Sequence, residues 1–483
     1  MRMNALVTRC MAAFETALKK SRKPRRRTIR LPRVHIEDLE IRCFLSASYG
    51  LATVIQPDGK TLVVGATADL PDGNKDFAIA RLNVDGTPDM SFSGDGQVVI
   101  PFNLLGAQGG EDVATCVAIQ EDGKIVLGGY AQANTRGDYD FAAVRLHANG
   151  TLDQTFGIDG RTTVAFQLGG ARYDQANGIA IAPDGKIVLA GTAVKRRSGD
   201  SDFAVARLTP SGFLDTTFDR DGKKTVPFNA GGNKTDEGTA VVVQPNGAVV
   251  VAGSAQRNKT GDYDFAVTRL TSKGALDKSF AKTGKRIIPF NLGGDRDDGA
   301  TSVALQGTDI VMGGFARVTS EGNFDFAVAR VKNDGTLDKT FSGDGLQTIA
   351  FDQGGVLDDE ALAIAPMADG RLVLGGFVQL TDTGNFDYAV TRITPTGALD
   401  PSFGVQGSVR IPIDLVADGD DAVYGVAIDS TTGNIIAAGT ATTDDQGGVQ
   451  VAVARLTSTG ILDKLFSLDG LTTIQFNAPE LPV

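Results

Sequence analysis

A ten-residue phrase returns along the whole chain, and its spacing constrains the fold more than any other feature. It reads GDYDFAVTRL at 261–270, and close variants occur at 137–146, 199–208, 322–331 and 384–393. The arginine of the phrase recurs seven times, at intervals of 61 to 64 residues. The copies fill the chain from about residue 49 to residue 477 and leave no room for another fold. Self-similarity at a fixed period indicates a repeat architecture.

Each copy predicts four short strands. In the third copy the apolar runs 178–182 and 186–193 flank the turn 183–185, and Asp-Gly between apolar runs indicates a hairpin. DFAVARL at 202–208 is the third strand, and KTVPFN at 224–229 is the fourth. Both faces of the third strand carry apolar or small side chains, so we expect it to be covered on both sides.

Four-stranded sheets packed face to face around an axis meet that requirement, and seven lies within the usual four to eight blades of a β-propeller. The sequence therefore predicts an all-β, seven-bladed β-propeller of four-stranded antiparallel blades over residues 49–477. A basic, flexible N-terminal targeting segment (1–48) precedes it, and a short tail (478–483) follows. A stacked parallel β-helix is the alternative, but its coils are usually shorter and lack Asp-Gly hairpins. The sequence leaves open whether the terminal copies abut or exchange a strand.

Charge and composition exclude several classes of protein. Residues 1–33 carry 11 Lys/Arg against Glu15 alone, whereas the whole chain carries −11, so residues 34–483 carry −21. An acidic body repels phosphate backbones, so no nucleic-acid partner is expected. No apolar run approaches the ~18 residues of a membrane span. The three cysteines form no spaced framework, and two histidines argue against Ser-His-Asp, Cys-His and multi-histidine metal chemistry.

The strictest spacing joins an arginine, an aspartate eight residues later and a phenylalanine three residues after that. Such a set could bind a ligand, but a feature present in every copy is better explained as part of the blade. We therefore interpret both charged series as structural. The arginines are Arg81, Arg145, Arg207, Arg269, Arg330, Arg392 and Arg455; the aspartates are Asp89, Asp153, Asp215, Asp277, Asp338, Asp400 and Asp463.

A second acidic series precedes the third strand as [Asp/Asn]-x-Asp. Alternating carboxylates resemble part of a calcium loop, but the glycine and the distal glutamate of an EF-hand are missing. Capping of the strand entry is the favoured interpretation, and calcium is the alternative. The candidate metal ligands are Asp138, Asp140, Asp200, Asp202, Asp262 and Asp264.

A third series stands just before the first strands. Because the innermost strand of a blade lines the channel, and the first strand is the natural candidate, these carboxylates could form a ring near one channel mouth. Such a ring could bind a cation or a cationic ligand; capping of backbone amides between blades is the alternative. The candidate ligand-binding residues are Asp112, Asp174, Asp236, Asp298, Asp358 and Asp421.

The repeat resembles the delta-60 repeat of bacterial proteins and the related SBBP-type propeller repeats. The resemblance rests on Asp-Gly-Lys-Ile-Val-Leu-x-Gly, Asp-Phe-Ala-Val-x-Arg-Leu and Gly-x-Leu-Asp-x-x-Phe, and it covers residues 50–477. It implies a propeller and an envelope or extracellular setting, and it supplies no catalytic residues.

The leader has a resemblance of its own. Residues 22–47, with an arginine run before the box LEIRCFLS at 39–46, look like the N-terminal segment of planctomycete surface proteins. The resemblance implies export or surface attachment. The alternative is an uncleaved cytoplasmic leader, since no standard signal peptide is evident.

Together these features predict a non-enzymatic, extracellular or cell-surface propeller that acts as a binding or scaffold module. Its ligand would be a protein or a glycan, it would need no cofactor, and it would be a monomer. The alternative is a Ca-dependent propeller hydrolase or lyase that acts on sugars or lactones, with the carboxylate ring holding Ca²⁺ as a Lewis acid. Near-identical blades favour the first prediction, because catalysis usually requires one blade to depart from the pattern.

Overall fold

The computed structural model describes residues 49–476, with gaps at 68–73, 106–109, 136, 169–172, 196–199, 232–234, 259–261, 291, 293–296, 319–322, 352–357, 382–383, 414, 417–418 and 444–447. The predicted leader and tail lie outside the described residues. Within the described ranges the chain forms 28 strands and no helix. No membrane-spanning helix therefore occurs in this part of the chain.

The strands group into seven blades of four. Blades 1 to 3 contain β1 (Tyr49–Ile55), β2 (Thr61–Ala66), β3 (Phe77–Leu82), β4 (Gln97–Ile100); β5 (Asp112–Ile119), β6 (Ile125–Asn134), β7 (Asp138–Leu146), β8 (Arg161–Val164); and β9 (Gln175–Ile181), β10 (Ile187–Val194), β11 (Ser201–Leu208), β12 (Lys223–Val226). Blades 4 and 5 contain β13 (Asp236–Val243), β14 (Val249–Gln256), β15 (Tyr263–Leu270), β16 (Lys285–Ile288); and β17 (Asp298–Gln306), β18 (Asp309–Arg317), β19 (Phe324–Val331), β20 (Leu346–Ile349). Blades 6 and 7 contain β21 (Asp359–Pro366), β22 (Leu372–Thr381), β23 (Gly384–Ile393), β24 (Ser408–Ile411); and β25 (Asp421–Ile428), β26 (Ile435–Thr442), β27 (Val449–Leu456), β28 (Leu471–Ile474).

Every blade is an antiparallel sheet of four consecutive strands, so the predicted seven-bladed propeller is confirmed. The first and last blades use only their own strands, and the ring therefore closes by contact without strand exchange. Arg455 Nη1 donates to the carbonyl of Val84 across this junction, and the amide of Ser467 donates to the carbonyl of Asp85 at 2.7 Å.

The first strands of neighbouring blades contact one another all round the ring, which makes them the innermost strands. Hydroxyl side chains bind carbonyls across these contacts: Thr115 Oγ1 donates to Ala176 O at 2.7 Å and Thr301 Oγ1 to Ala361 O at 2.8 Å. A register shift in each first strand pushes a carbonyl against the second strand. Glycine is needed opposite it, because a Cβ at Gly376 would lie 1.8 Å from the carbonyl oxygen of Glu360.

The core consists of one apolar cluster at each blade junction. Phe203 and Val205 of β11 pack toward blade 4, whereas Ala204, Ala206 and Leu208 pack toward blade 2. All five are fully buried, so the predicted two-sided burial of the third strand is confirmed. Each buried Val, Leu or Phe contributes roughly 1.5–3 kcal/mol, and a single blade could bury only one of its faces.

The ring has two faces, which differ in the connections that they carry. The turn face carries the hairpins between first and second strands and the Gly-x-Leu-Asp-x-x-Phe connections between third and fourth strands, such as 182–186 and 209–222 in blade 3. The loop face carries the opposite strand ends, where each second strand leads to the third and each blade leads to the next, such as the ends of β10 and β12 in blade 3.

Candidate functional site

On the turn face, the arginine and aspartate of every blade form an ion pair, which is buried in six blades and partly exposed in blade 4, where the side chain of Asp277 is 20% exposed. Arginine Nε donates to aspartate Oδ2 at 2.7–2.9 Å in all seven pairs. The guanidinium also lies 4.6–5.0 Å from the centre of the phenylalanine ring three residues beyond the aspartate. Its Nη1 donates to a backbone carbonyl of the next blade, as from Arg330 to Pro395 O at 2.6 Å. Each set therefore links one blade to its neighbour.

The aspartate is held by a second group as well. In six blades a hydroxyl two residues later donates to its Oδ1 at 2.6–2.8 Å. In blade 7 that position is Leu465, and only its backbone amide reaches Asp463, at 3.0 Å. Burial opposes ionisation of Asp153, but hydrogen bonds from Thr155 and the charge of Arg145 outweigh it and lower the pKa of Asp153 to about 2.

On the loop face, an aspartate at the start of each first strand after blade 1 caps the preceding blade. Its Oδ2 accepts from the backbone amide two residues beyond the fourth strand of that blade, at 2.6–3.2 Å. The pairs, aspartate first, are Asp112 with Phe102, Asp174 with Phe166, Asp236 with Phe228, Asp298 with Phe290, Asp359 with Phe351 and Asp421 with Ile413. The six aspartates are at most 2% exposed. They are therefore enclosed between blades and do not open to a channel mouth.

Blade 6 corrects the series expected from the sequence. The capping residue is Asp359, whereas Asp358 precedes it and accepts at Oδ1 from the amide of Phe324 at 3.2 Å. Asp359 pairs with Val378 in the same register in which Asp112 pairs with Ala131. Two adjacent acids in the sequence hide this one-residue offset.

Desolvation dominates the electrostatics of the loop-face aspartates. Burial raises the pKa of Asp112 and Asp236 to about 6 and that of Asp298 to about 7. The negative charge of a third-strand aspartate in the preceding blade adds to the effect, from Asp202 on Asp236 and from Asp264 on Asp298. Each such junction therefore brings two carboxylates near each other, and the first-strand aspartate of the two is held by backbone amides.

Two of the candidate metal ligands meet basic side chains. Lys195 Nζ lies 2.6 Å from Asp202 Oδ2, and Arg257 Nη1 lies 3.0 Å from Asp264 Oδ2. These pairs place a cation of the protein itself where a metal ion would have to bind.

The other candidate metal ligands lie on the third strand of their blade or directly before it. Asp138 accepts from Asn134 Nδ2, and Asp262 accepts from Asn258 Nδ2 at 3.1 Å. Asp140 lies on β7, and Asp200 directly precedes β11. Among the residues that the structure describes, no three Asp, Glu, His or Cys side chains come together as a metal site.

A tyrosine cluster on the loop face was not singled out from the sequence. Tyr139 on β7 lies with its ring centre 5.4 Å from those of both Tyr130 and Tyr173, and Tyr173 is 44% exposed. The hydroxyl of Tyr139 donates to Glu111 Oε2 at 2.7 Å, and Lys75 lies 3.3 Å from the other carboxylate oxygen. The chain has only seven tyrosines, so this concentration was the available signal.

The repeat matches a known family seven times. A domain of unknown function described as the DUF5122 β-propeller matches residues 56–92, 120–156, 182–218, 244–280, 310–341, 368–403 and 431–466, which is more than half of the chain. The chain belongs to this family. The delta-60 and SBBP resemblance and the planctomycete-type leader remain predictions beside this DUF5122 assignment.

Among solved structures, this DUF5122 chain is similar to a protein of unknown function from Dyadobacter fermentans (13% identity, 86% of this chain, 95% of that one, TM-score 0.41). It is also similar to the propeller domain of the trilobed protease from Pyrococcus furiosus (10% identity, 86% of this chain, 96% of that one, TM-score 0.42). A third similar structure is an arabinanase from Bacillus subtilis (17% identity, 60% of this chain, 97% of that one, TM-score 0.31). No curated protein matches the chain. Nothing about activity follows from likeness at this level.

Proposed function

We propose that this DUF5122 propeller is a non-enzymatic binding module, exported to the cell surface, which takes a glycan ligand on its loop face. The observation that carries the proposal is the tyrosine cluster formed by Tyr130, Tyr139 and Tyr173. The recurrent charged residues hold blades together. The pair Tyr130 and Tyr139 has aromatic counterparts in blades 5 and 6, Phe315 with Phe324 and Phe377 with Phe386. Tyr173 is the departure from the repeat, because it stands directly before the capping aspartate, where the other blades carry Glu, Thr or Asp. Loops held by a rigid scaffold are where binding residues concentrate.

The chemistry of the cluster suits a sugar. The apolar C–H face of a pyranose ring packs on an exposed aromatic ring, and Tyr173 presents such a ring. Tyr139 and Tyr130 support it from behind, so little side-chain freedom is lost when a ligand binds. Glu111, whose side chain is 36% exposed, supplies a charged acceptor for sugar hydroxyls, and Lys75 holds that carboxylate in place.

A glycan array probed with the full chain tests the proposal, followed by calorimetric titration of each hit. We expect Tyr173→Ala to weaken binding by about 10-fold or more, because one stacking surface is lost. The matched control is Tyr263→Ser. Tyr263 occupies in blade 4 the position of Tyr139, and blade 3 carries Ser201 there. No binding across a broad array, or binding that Tyr173→Ala leaves unchanged, would contradict the glycan assignment; a protein ligand would then be sought.

Export is a separate part of the proposal. The basic segment 1–33 and its resemblance to surface-protein leaders support it. Cells expressing the full chain and a chain lacking residues 1–48 are fractionated, and the shortened chain is expected to stay in the cytoplasm. An unchanged distribution would contradict export through this segment.

A further inference from the structure

Exposed apolar side chains on the turn face are concentrated on three consecutive blades, 6, 7 and 1, which carry the six named below, whereas blades 2 and 3 carry one each, Ile158 and Phe213. We call these six side chains the seam patch: Val405 (79% exposed), Ile461 (65%), Leu465 (80%), Leu468 (90%), Val84 (52%) and Met90 (62%). Single exposed aliphatic residues are ordinary on protein surfaces, but a contiguous group marks an interaction site.

Backbone hydrogen bonds hold the turns that carry the patch side by side. The amide of Gly404, next to Val405, donates to the carbonyl of Thr459 in blade 7 at 2.9 Å. The amide of Ser467, next to Leu468, donates to the carbonyl of Asp85 in blade 1 at 2.7 Å. The turns that carry the patch are therefore linked directly from blade 6 to blade 7 and from blade 7 to blade 1, where the ring closes.

Leu465 gives up an interaction that the other blades keep. Six blades have Ser or Thr at this position, and the hydroxyl binds the buried turn-face aspartate. A hydrogen bond to a charged group contributes roughly 1.5–3 kcal/mol. Leu465 makes no such bond, and at 80% exposure it gains little burial within its own chain. Its presence is explained by a contact outside the chain.

Leu468 adds a second unfavourable choice in the same turn. Its φ is 72°, in the left-handed region, where blades 1 and 5 have Gly94 and Gly343. A leucine in this conformation costs roughly 1–2 kcal/mol more than glycine would. Blades 3 and 4 have Arg220 and Lys282 at the equivalent position, with φ of 78° and 63°. The residues found there in these blades are therefore charged and suited to solvent. An exposed leucine serves neither solubility nor backbone geometry.

We infer that the seam patch is the core of a symmetric interface between two copies of this chain. The patch spans one arc of the ring, so a two-fold axis through it closes the assembly at two copies. Exposed charges of both signs lie in the same turns, Lys464 and Asp469 in blade 7 and Asp85 in blade 1. A two-fold axis lets Lys464 of one copy pair with an aspartate of the other, which gives the apolar core and charged rim of a dimer interface.

This inference departs from the monomer expected from the sequence. It is independent of the glycan site, because that site lies on the loop face. A stable interface covers roughly 800 Å² on each partner, so the six patch residues would form its centre and the surrounding turns its rim.

Sedimentation velocity of the full chain, from micromolar concentrations to about 100 µM, tests the inference. We expect a dimer, and we expect it to strengthen between about 0.15 and 0.5 M salt. The chain carries −11, so screening reduces repulsion between copies while burial of aliphatic surface is retained. The exposed pairs of Lys464 with an aspartate are also screened, but such pairs contribute only about 0.2–1 kcal/mol each.

The decisive variant is Leu465→Thr with Leu468→Gly, which introduces residue types that other blades already carry at these positions. We expect its dissociation constant to rise by about 100-fold and its Tm to stay equal or rise. The matched control is Phe213→Ala in blade 3. Phe213 is 53% exposed on the same face, and blades 4 and 6 have Ala275 and Ala398 there. This control should remain dimeric.

Two results would overturn the inference. One is a wild-type chain that stays monomeric at about 100 µM. Co-sedimentation of that monomer with phosphatidylcholine vesicles would then assign the patch to a lipid surface. The other is a folded double variant that dimerises as tightly as wild type.

Discussion

Aspartates are buried on both faces of the ring, yet the pKa can be lowered on the turn face and raised on the loop face. The pKa of Asp153 on the turn face falls to about 2, and that of Asp298 on the loop face rises to about 7. Both side chains are buried, so burial alone does not decide the direction. Asp153 has the guanidinium of Arg145 at 2.9 Å, whereas Asp298 has backbone amides and the nearby Asp264 carboxylate. The two aspartates therefore differ in the charge of the group beside them, although both belong to series that recur from blade to blade.

The largest effect is expected from removing a turn-face cation. Arg269→Met leaves Asp277 without its ion-pair partner and breaks the bond from Arg269 Nη1 to Asn333 O. An uncompensated charge destabilises a protein by about 3–5 kcal/mol when it is fully buried, and we expect a loss below that range here because the side chain of Asp277 is 20% exposed. Guanidinium unfolding measures the loss, and it should show a lower midpoint.

Two further variants sharpen this result. Adding Asp277→Leu to Arg269→Met removes the stranded charge, so part of the lost stability should return. Lys282→Gly changes a neighbouring turn to a residue used in blades 1 and 5 and should be neutral or slightly stabilising. If Arg269→Met lowers the free energy of unfolding by less than about 1 kcal/mol, the arginine ion pair does not explain the difference between turn-face and loop-face aspartates.

The second prediction concerns pH. A carboxyl group with a raised pKa in the folded state stabilises the protein fully below its unfolded value of 3.8, and this contribution is lost as pH rises through about 6 to 7. The turn-face aspartates of blades 1 to 6 behave oppositely, because their pKa is lowered: their stabilisation is present above 3.8 and is lost as pH falls, toward about 2 for Asp153. The Tm should therefore peak at mildly acidic pH.

Asp298→Asn isolates the loop-face contribution. Asparagine keeps an acceptor for the amide of Phe290 but cannot ionise, so the decline in Tm between pH 5 and 8 should be shallower by a few degrees. Asp344→Asn, at an exposed turn-face aspartate, should follow the wild-type profile. A wild-type Tm that is flat or rising over this interval would mean that the loop-face carboxylates stay ionised at little cost.

The repeat made the fold accessible from sequence, because spacing and alternation are local properties. Seven arginines spaced 61 to 64 residues apart and the apolar third strand were sufficient to predict the blade number and the two-sided burial. The site was less accessible, since it depends on register and on contacts between blades. The adjacent acids Asp358 and Asp359 cannot be told apart without the strand pairing. The tyrosine cluster joins residues from two blades, and the replacement of Ser or Thr by Leu465 acquires meaning only through its exposure.

The smallest effect is expected from divalent cations, and it is the one that could erase the contrast between the faces. A bound Ca²⁺ would place a positive charge beside the loop-face carboxylates and lower their pKa, as Arg145 does for Asp153 on the turn face. We expect EDTA or millimolar Ca²⁺ to shift Tm by less than about 1 °C, because Lys195 and Arg257 already pair with Asp202 and Asp264. A site filled at 100 times its Kd would stabilise the fold by ~2.7 kcal/mol, which is easily seen as a higher Tm. Such a rise, abolished by Asp264→Asn and kept in Asp344→Asn, would make the loop face a cation site and favour the alternative function, a calcium-dependent hydrolase or lyase.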